Sequence, residues 1–190
     1  MQYGIISDVH ANLAAFEAVL QDMGPVDALW CLGDLVGYGP DPNECIELLR
    51  RHNHLCIVGN HDMAAVGRMD TEEFNPQAAF AADWTAATLT ERSRNFLLGL
   101  PERLEAEPFT LVHGSPRSPI WEYITNARIA AANFEQFDTA ACLVGHSHVP
   151  SLYIDEDGHV IGQMPGAGDR VEIGPKPVIA NPGGVGHLCC

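Results

Sequence analysis

Residues 3–10 read Tyr3-Gly4-Ile5-Ile6-Ser7-Asp8-Val9-His10, a short apolar run that ends in Asp-x-His. The run does not alternate apolar and polar positions, so it predicts a strand covered on both faces. Four further runs have the same form: Ala28-Leu29-Trp30-Cys31-Leu32, Leu55-Cys56-Ile57-Val58, Phe109-Thr110-Leu111-Val112 and Ala141-Cys142-Leu143-Val144. Each leads into residues able to bind a metal: Gly33-Asp34, Gly59-Asn60-His61-Asp62, His113-Gly114 and Gly145-His146-Ser147-His148. Ligand crevices of open α/β sheets lie outside the carboxyl ends of the strands, so the five motifs are expected to converge on one place.

Helical spacing fills the intervals. Leu13, Phe16, Val19 and Leu20 recur with helical period between Asn12 and Met23, with Asn12 as the N-cap. Pro42 to Arg51, one long stretch from about Asn75 to Leu98, and about Ala127 to Phe137 are read as helical too. After Pro150 the texture becomes β-rich. Leu152-Tyr153-Ile154 and His159-Val160-Ile161 flank the turn signal Asp155-Glu156-Asp157-Gly158, and extended pieces follow near Val171 to Ile173 and Val178 to Ile179. This tail is expected to complete a second sheet.

The 190 residues fit one domain, 1–190. A composition of 46% hydrophobic and 18% charged residues excludes a disordered or fibrous chain. The formal charge of −15 argues against broad binding to nucleic acid or to an anionic membrane. An anionic substrate would need a local positive charge, which a bound divalent cation supplies. Six cysteines (Cys31, Cys45, Cys56, Cys142, Cys189, Cys190) form no C-x-x-C pair and are read mostly as small buried hydrophobes in a reducing compartment. Met1 leads almost directly into the first run, with no basic or cleavable leader and no apolar stretch of ~18 residues, so a soluble cytoplasmic protein is expected.

In Asp8-x-His10 and His146-x-His148 the paired side chains are two residues apart. On an extended segment both would project to one side and each pair could grip one ion. Carboxylate, imidazole and amide oxygen together suit manganese, iron or zinc. The candidates Asp8, His10, Asp34, Asn60, His113, His146 and His148 are too many for one tetrahedral ion and fit two ions sharing Asp34. Such a pair, ~3.5 to 4 Å apart, can hold a bridging hydroxide and clamp an in-line displacement at phosphorus, so phosphoester hydrolysis is the expected reaction. His61, next to Asn60, could protonate the leaving oxygen, oriented by Asp62 or a backbone group. Arg117 is a candidate phosphate contact, although a solvated loop arginine is the favoured reading. Trp121, Glu122 and Tyr123 could shape a substrate pocket, for instance by stacking on a base, or simply pack their loop. His52, His54, His159 and His187 read as surface or turn residues, and the apolar side chains from Phe80 to Leu98 as cover for a sheet face.

The five motifs, with Asn181-Pro182-Gly183 near the end, resemble the calcineurin-like metallophosphoesterase superfamily, in its small bacterial and archaeal phosphodiesterase-like branch. That resemblance implies a four-layer α/β/β/α sandwich, two mixed β-sheets flanked by helices. It also implies Asp8, His10, Asp34 and His148 on one ion, and Asp34, Asn60, His113 and His146 on the other, with His61 as catalytic acid. Manganese is the leading expectation for both ions, ahead of iron, zinc or nickel, and the substrate a small phosphodiester or nucleotide. Gly37 stands where protein serine/threonine phosphatases place an aspartate before an arginine, which speaks against a protein phosphatase. Similar proteins continue past Asn-Pro-Gly into another strand, so the last strand of the family fold is expected to be missing or altered. A dinucleoside polyphosphate hydrolase, or a catalytically idle module that binds other proteins, are the competing readings.

Overall fold

The computed structural model describes residues 1–186, so His187, Cys189 and Cys190 lie outside the described residues. The first three runs form β1 (Tyr3–Ile6), β2 (Ala28–Cys31) and β3 (His54–Cys56), a parallel sheet in the order β1-β2-β3. The other two runs form β5 (Phe109–Val112) and β6 (Ala141–Leu143). They join β4 (Arg103–Ala106), β7 (Ser151–Glu156), β8 (His159–Gln163) and β9 (Val178–Asn181) in a mixed sheet of order β4-β5-β6-β9-β7-β8. The expected hairpin is the antiparallel β7-β8 pair.

Alternation along β2 builds two layers of core at once. Leu29 and Cys31 face outward onto α1 (Leu13–Met23), α2 (Pro42–Arg50) and α5 (Glu91–Leu98), packing with Phe16, Ile46, Leu49 and Leu97. Trp30 and Leu32 face inward and meet Leu111 and Leu143 of the second sheet. The far face of that sheet, from Val112, Cys142, Tyr153 and Ile179, is covered by Phe134, Phe137 and α6 (Ala127–Ala131). The result is the expected α/β/β/α sandwich, with the correction that among the described residues the first sheet is wholly parallel and only the second is mixed. Fully burying a side chain such as Phe16 or Leu29 stabilises the fold by about 1.5–3 kcal/mol each. The four described cysteines are buried and free, as read. Among the described residues no helix is long and apolar enough to cross a membrane.

The structure departs from the local reading in several places. The long helical stretch divides into α4 (Pro76–Thr88) and α5, because Leu89 turns extended and the Thr90 side chain caps Ser93 N–H at 3.2 Å. The last helix is shorter than read and ends in a 3-10 turn, Phe134–Gln136. Val171 and Ile173 lie exposed outside any strand. Two elements were not anticipated: the edge strand β4, whose alternation of exposed Arg103 and Glu105 with half-buried Leu104 and Ala106 was a readable signal, and the short helix α3 (Asn60–Ala65).

Candidate metal centre

All five motifs meet just beyond the strand ends, and the loops that carry them are stitched together by carboxylates. Asp8, after β1, accepts the His146 N–H at 3.1 Å; Asp34, after β2, accepts the His61 N–H at 2.9 Å. Asp62 accepts from Val36 N–H and Gly59 N–H, both at 3.0 Å, so it ties the loop after β2 to the start of α3. This is a different task from the expected one, since neither carboxylate oxygen of Asp62 is on the His61 ring. The Asn181 side chain donates to Ser147 Oγ at 3.0 Å and to the Gly145 carbonyl, and accepts from Gly183 N–H, holding the loop of His146 and His148 on the end of β9. Its sequence signal was the Asn-Pro-Gly motif, whose task was not evident.

Asp8, His10, Asp34, His146 and His148 all adopt positive φ, between 50° and 64°. Side chains with a Cβ disfavour this region, and such strain clusters at functional sites. The expectation that each x-spaced pair projects as on a strand is therefore corrected. Asp8, His10 and His148 form one group, and Asp34, His113 and His146 another, with ligand-type atoms inside each lying within 4.8 Å of one another. His146 and His148 thus separate, because the chain turns at both residues instead of running extended between them.

Asp34 belongs to both neighbourhoods. Its Oδ2 lies 3.4 Å from His113 Nε2 and 3.8 Å from His10 Nε2. Asn60, on the first turn of α3, brings Oδ1 to 3.1 Å from His113 Nε2, and His148 Nε2 lies 3.3 Å from Asp8 Oδ1. The Nδ1–H of His113 donates to the Leu32 carbonyl at 2.7 Å, and its Nε2 faces Asp34. His146 hydrogen-bonds the Trp121 backbone, and its buried Nε2 has no hydrogen-bond partner. Nε2 of His10 and Nε2 of His148 approach to 3.0 Å. Two imidazole nitrogens at this distance, beside buried carboxylates and an orphaned buried nitrogen, make a donor set that fits divalent cations.

The electrostatics agree. Burial pushes His10 down to about 4 and His146 to about 3, so these two rings are neutral and keep a lone pair, and burial also lowers His61. Burial opposes ionisation of Asp34, yet His113 and His61 hold it well below the carboxylate range, and burial likewise opposes His113, which Asp34 raises to about 10. Asp62, farther into the protein, is raised to about 7 by burial and by the Asp34 charge.

His61 stands at the edge of the cluster. Its ring packs on Tyr38 (centroids 4.6 Å apart), Phe74 (4.9 Å) and His10 (5.0 Å). Neither Tyr38 nor Phe74 carried a motif, so sequence reasoning missed both. Arg117 does not join the group: its Nε lies 2.8 Å from Glu122 Oε2 and its Nη2 pairs with Oε1, so the planar fork that would face a phosphate is taken. Glu122 in turn accepts from Ser115 Oγ at 2.7 Å and Asn133 Nδ2 at 2.8 Å, which orders the loop after β5. From that loop Tyr123 stacks on His146, with ring centroids 3.8 Å apart.

The family model for the calcineurin-like phosphoesterase superfamily domain matches residues 1–188. A metallophosphoesterase from Sphaerobacter thermophilus, known as a crystal structure, is 49% identical with a TM-score of 0.88, over 98% of this chain and 77% of that one. An uncharacterized protein of Methanocaldococcus jannaschii is 36% identical over 190 residues, 96% of this chain and 75% of the relative. A symmetrical bis(5'-nucleosyl)-tetraphosphatase of Pseudomonas putida is 48% identical over 40 residues, 20% of this chain and 14% of that enzyme. The strand order, the convergence of the motifs and a match over nearly the whole length lead to one conclusion: the chain belongs to the calcineurin-like phosphoesterase superfamily.

Proposed function

We propose that residues 1–190 form one catalytic domain that hydrolyses small phosphodiesters or nucleotides with two divalent cations. The observation that carries the reading is Asp34, a buried carboxylate shared between two groups of imidazoles. Asp8, His10, Asp34 and His148 would hold one cation, and Asp34, Asn60, His113 and His146 the other. Such cations supply Lewis acidity at the phosphoryl oxygens and lower the pKa of water, and manganese is the first metal to test. Burial keeps His10 and His146 neutral and so ready to bind.

His61 is the proposed general acid. Its Nδ1 is buried, and a Cβ at Gly37 would lie only 2.8 Å away, which leaves Nε2 to carry the proton to the leaving oxygen. Tyr38 and Phe74 hold the ring at its station. The Arg117–Glu122 pair orders the loop that brings Tyr123 onto His146.

Manganese-loaded protein is expected to hydrolyse a chromogenic phosphodiester faster than the matching monoester. His61→Ala is expected to lower kcat by ~10²-fold or more, the contribution of a positioned general acid, with bound metal retained. Asp34→Asn should lose both activity and metal. No turnover of diester, monoester or a nucleotide panel by metal-loaded protein would reject the proposal.

A further inference from the structure

Beside the cluster lies a cavity of about 500 Å³, between the loop after β5, the turn after His146 and the β7-β8 hairpin. We propose that this cavity receives the base of a nucleotide substrate whose phosphate lies at the metal centre, an inference that rests on the phosphoesterase reading above. The volume falls within the ~300–1,000 Å³ of small-ligand sites.

Position ties the cavity to the chemistry. Ser147, which lines it, stands between His146 and His148, and Tyr123, which forms one wall, stacks on His146 at 3.8 Å while remaining 49% exposed. A group seated here lies against Tyr123, the ring that stacks on His146, and against the turn between His146 and His148. Charge then identifies which part of a substrate fits. Among the described residues, not one that lines it is Asp, Glu, Lys, Arg or His, in a chain with a formal charge of −15. A phosphate would find no counter-charge in the cavity, whereas a neutral ring loses nothing by entering it.

Shape narrows the neutral group to a flat one. Tyr153 and Gly162 are cross-strand partners, and a Cβ at Gly162 would lie 2.8 Å from Cε1 of Tyr153, so the tyrosine ring lies across β8 where only glycine leaves room. Tyr123, half exposed, offers an aromatic face at the wall, with the buried Tyr153 ring as part of the floor, and every nucleobase has a face to stack on it. Polar groups at the margin complete the match. The amide of Gln163 and the hydroxyl of Ser151 supply donors and acceptors of the kind that read base edges, while the Asn126 amide caps α6 through Ile129 N–H and donates to Thr125 Oγ1.

The test is ligand-observed NMR on metal-free protein, with adenosine 5'-monophosphate as the probe and ribose 5-phosphate as its base-free counterpart. Saturation is expected to reach the base protons H2 and H8 more strongly than the ribose protons, and calorimetry should give a Kd for the nucleotide at least tenfold below that for ribose 5-phosphate. Val149→Trp fills the cavity from an exposed wall position and should abolish both differences. Gln163→Ala, an exposed site whose substitution leaves the fold intact, should raise the nucleotide Kd about threefold or more. Equal affinity for the two probes, or nucleotide binding unchanged by Val149→Trp in folded protein, would overturn the proposal. Base-dependent binding without turnover by metal-loaded protein would keep the cavity and reject the phosphoesterase reading. Turnover indifferent to the base would do the reverse.

Discussion

Two glycines set the distances on which the site depends, and they touch different halves of the proposed chemistry. Gly37 has a φ of 96°, and a Cβ there would lie 2.8 Å from Nδ1 and 2.9 Å from Cβ of His61. The aspartate that protein phosphatases carry at this place would collide with His61 on this backbone, so the departure noted in the sequence is a packing requirement. At Gly59 a Cβ would overlap Asp34 Oδ1 and crowd the Asp34 amide. The two alanine variants should therefore fail differently. Gly37→Ala adds ~1–2 kcal/mol of backbone strain and moves His61, so kcat is expected to fall ~10²-fold, with metal content near that of the unmodified protein. Gly59→Ala displaces Asp34 and should lose metal first. Kinetics paired with metal analysis by plasma mass spectrometry separates them; equal metal loss in both variants would show that Gly37 does not act through His61.

At the scale of elements, the site is a set of loops held by side chains from elsewhere, and this is where sequence reading reached its limit. The five strands and the candidate ligands at their ends were legible because both signals are local: an unbroken apolar run and the residue that follows it. The separation of His146 from His148 was not, because two-residue spacing implies a common side only on extended backbone, and φ is 64° and 58° at these residues. Nor could sequence pair Arg117 with Glu122, since that contact exists only once the chain folds back at the Ser115–Ser118 bridge. The single stretch from 75 to 98 hid a break because Thr90, its capping residue, opens a polar run, Thr90 to Asn95, that an exposed helix face would carry as well. The loop anchors can be tested individually. Asn181→Ala removes bonds to Gly145 and Ser147, so metal affinity is expected to weaken ~10–100-fold, as for other groups that orient ligands from behind. A metal Kd within twofold of the original would refute that role. For Glu122, the Arg117 guanidinium, with Asn133 and Ser115, holds the carboxyl down from 4.5 to about 2. A depressed carboxylate stabilises the folded state above its ordinary pKa and loses that contribution as pH falls. The stability difference between the natural chain and Glu122→Gln, read by urea denaturation, should therefore be full above about pH 4.5 and shrink between 4.5 and 2. A difference constant across that window would contradict the assigned pairing.

Over the whole molecule, two sheets bury their shared face on Trp30, Leu32, Leu111 and Leu143, and this core ends where the ligand-bearing loops begin. The fold thus carries its stability in the apolar layers and concentrates its strain and buried charge at one rim. That arrangement predicts how cations act on stability, and it distinguishes two effects that a chain of formal charge −15 would otherwise confuse. Monovalent salt screens repulsion across the whole surface and should raise Tm gradually, to the same extent in the natural chain and in Asp34→Asn. Manganese binding at the cluster is linked to folding and should saturate. At a concentration ~100-fold above Kd it contributes ~2.7 kcal/mol, which for a domain of this size is about 5–10 °C in Tm. Asp34→Asn removes the carboxylate common to both groups of ligands, so its response to manganese should flatten to that of an equal ionic strength of sodium chloride. Scanning fluorimetry across a manganese series at constant ionic strength, with chelator-treated protein as the starting point, measures this directly. A saturable rise of equal size in Asp34→Asn would place the bound cation away from this cluster, and an unsaturable rise in the natural chain would reduce the effect to screening.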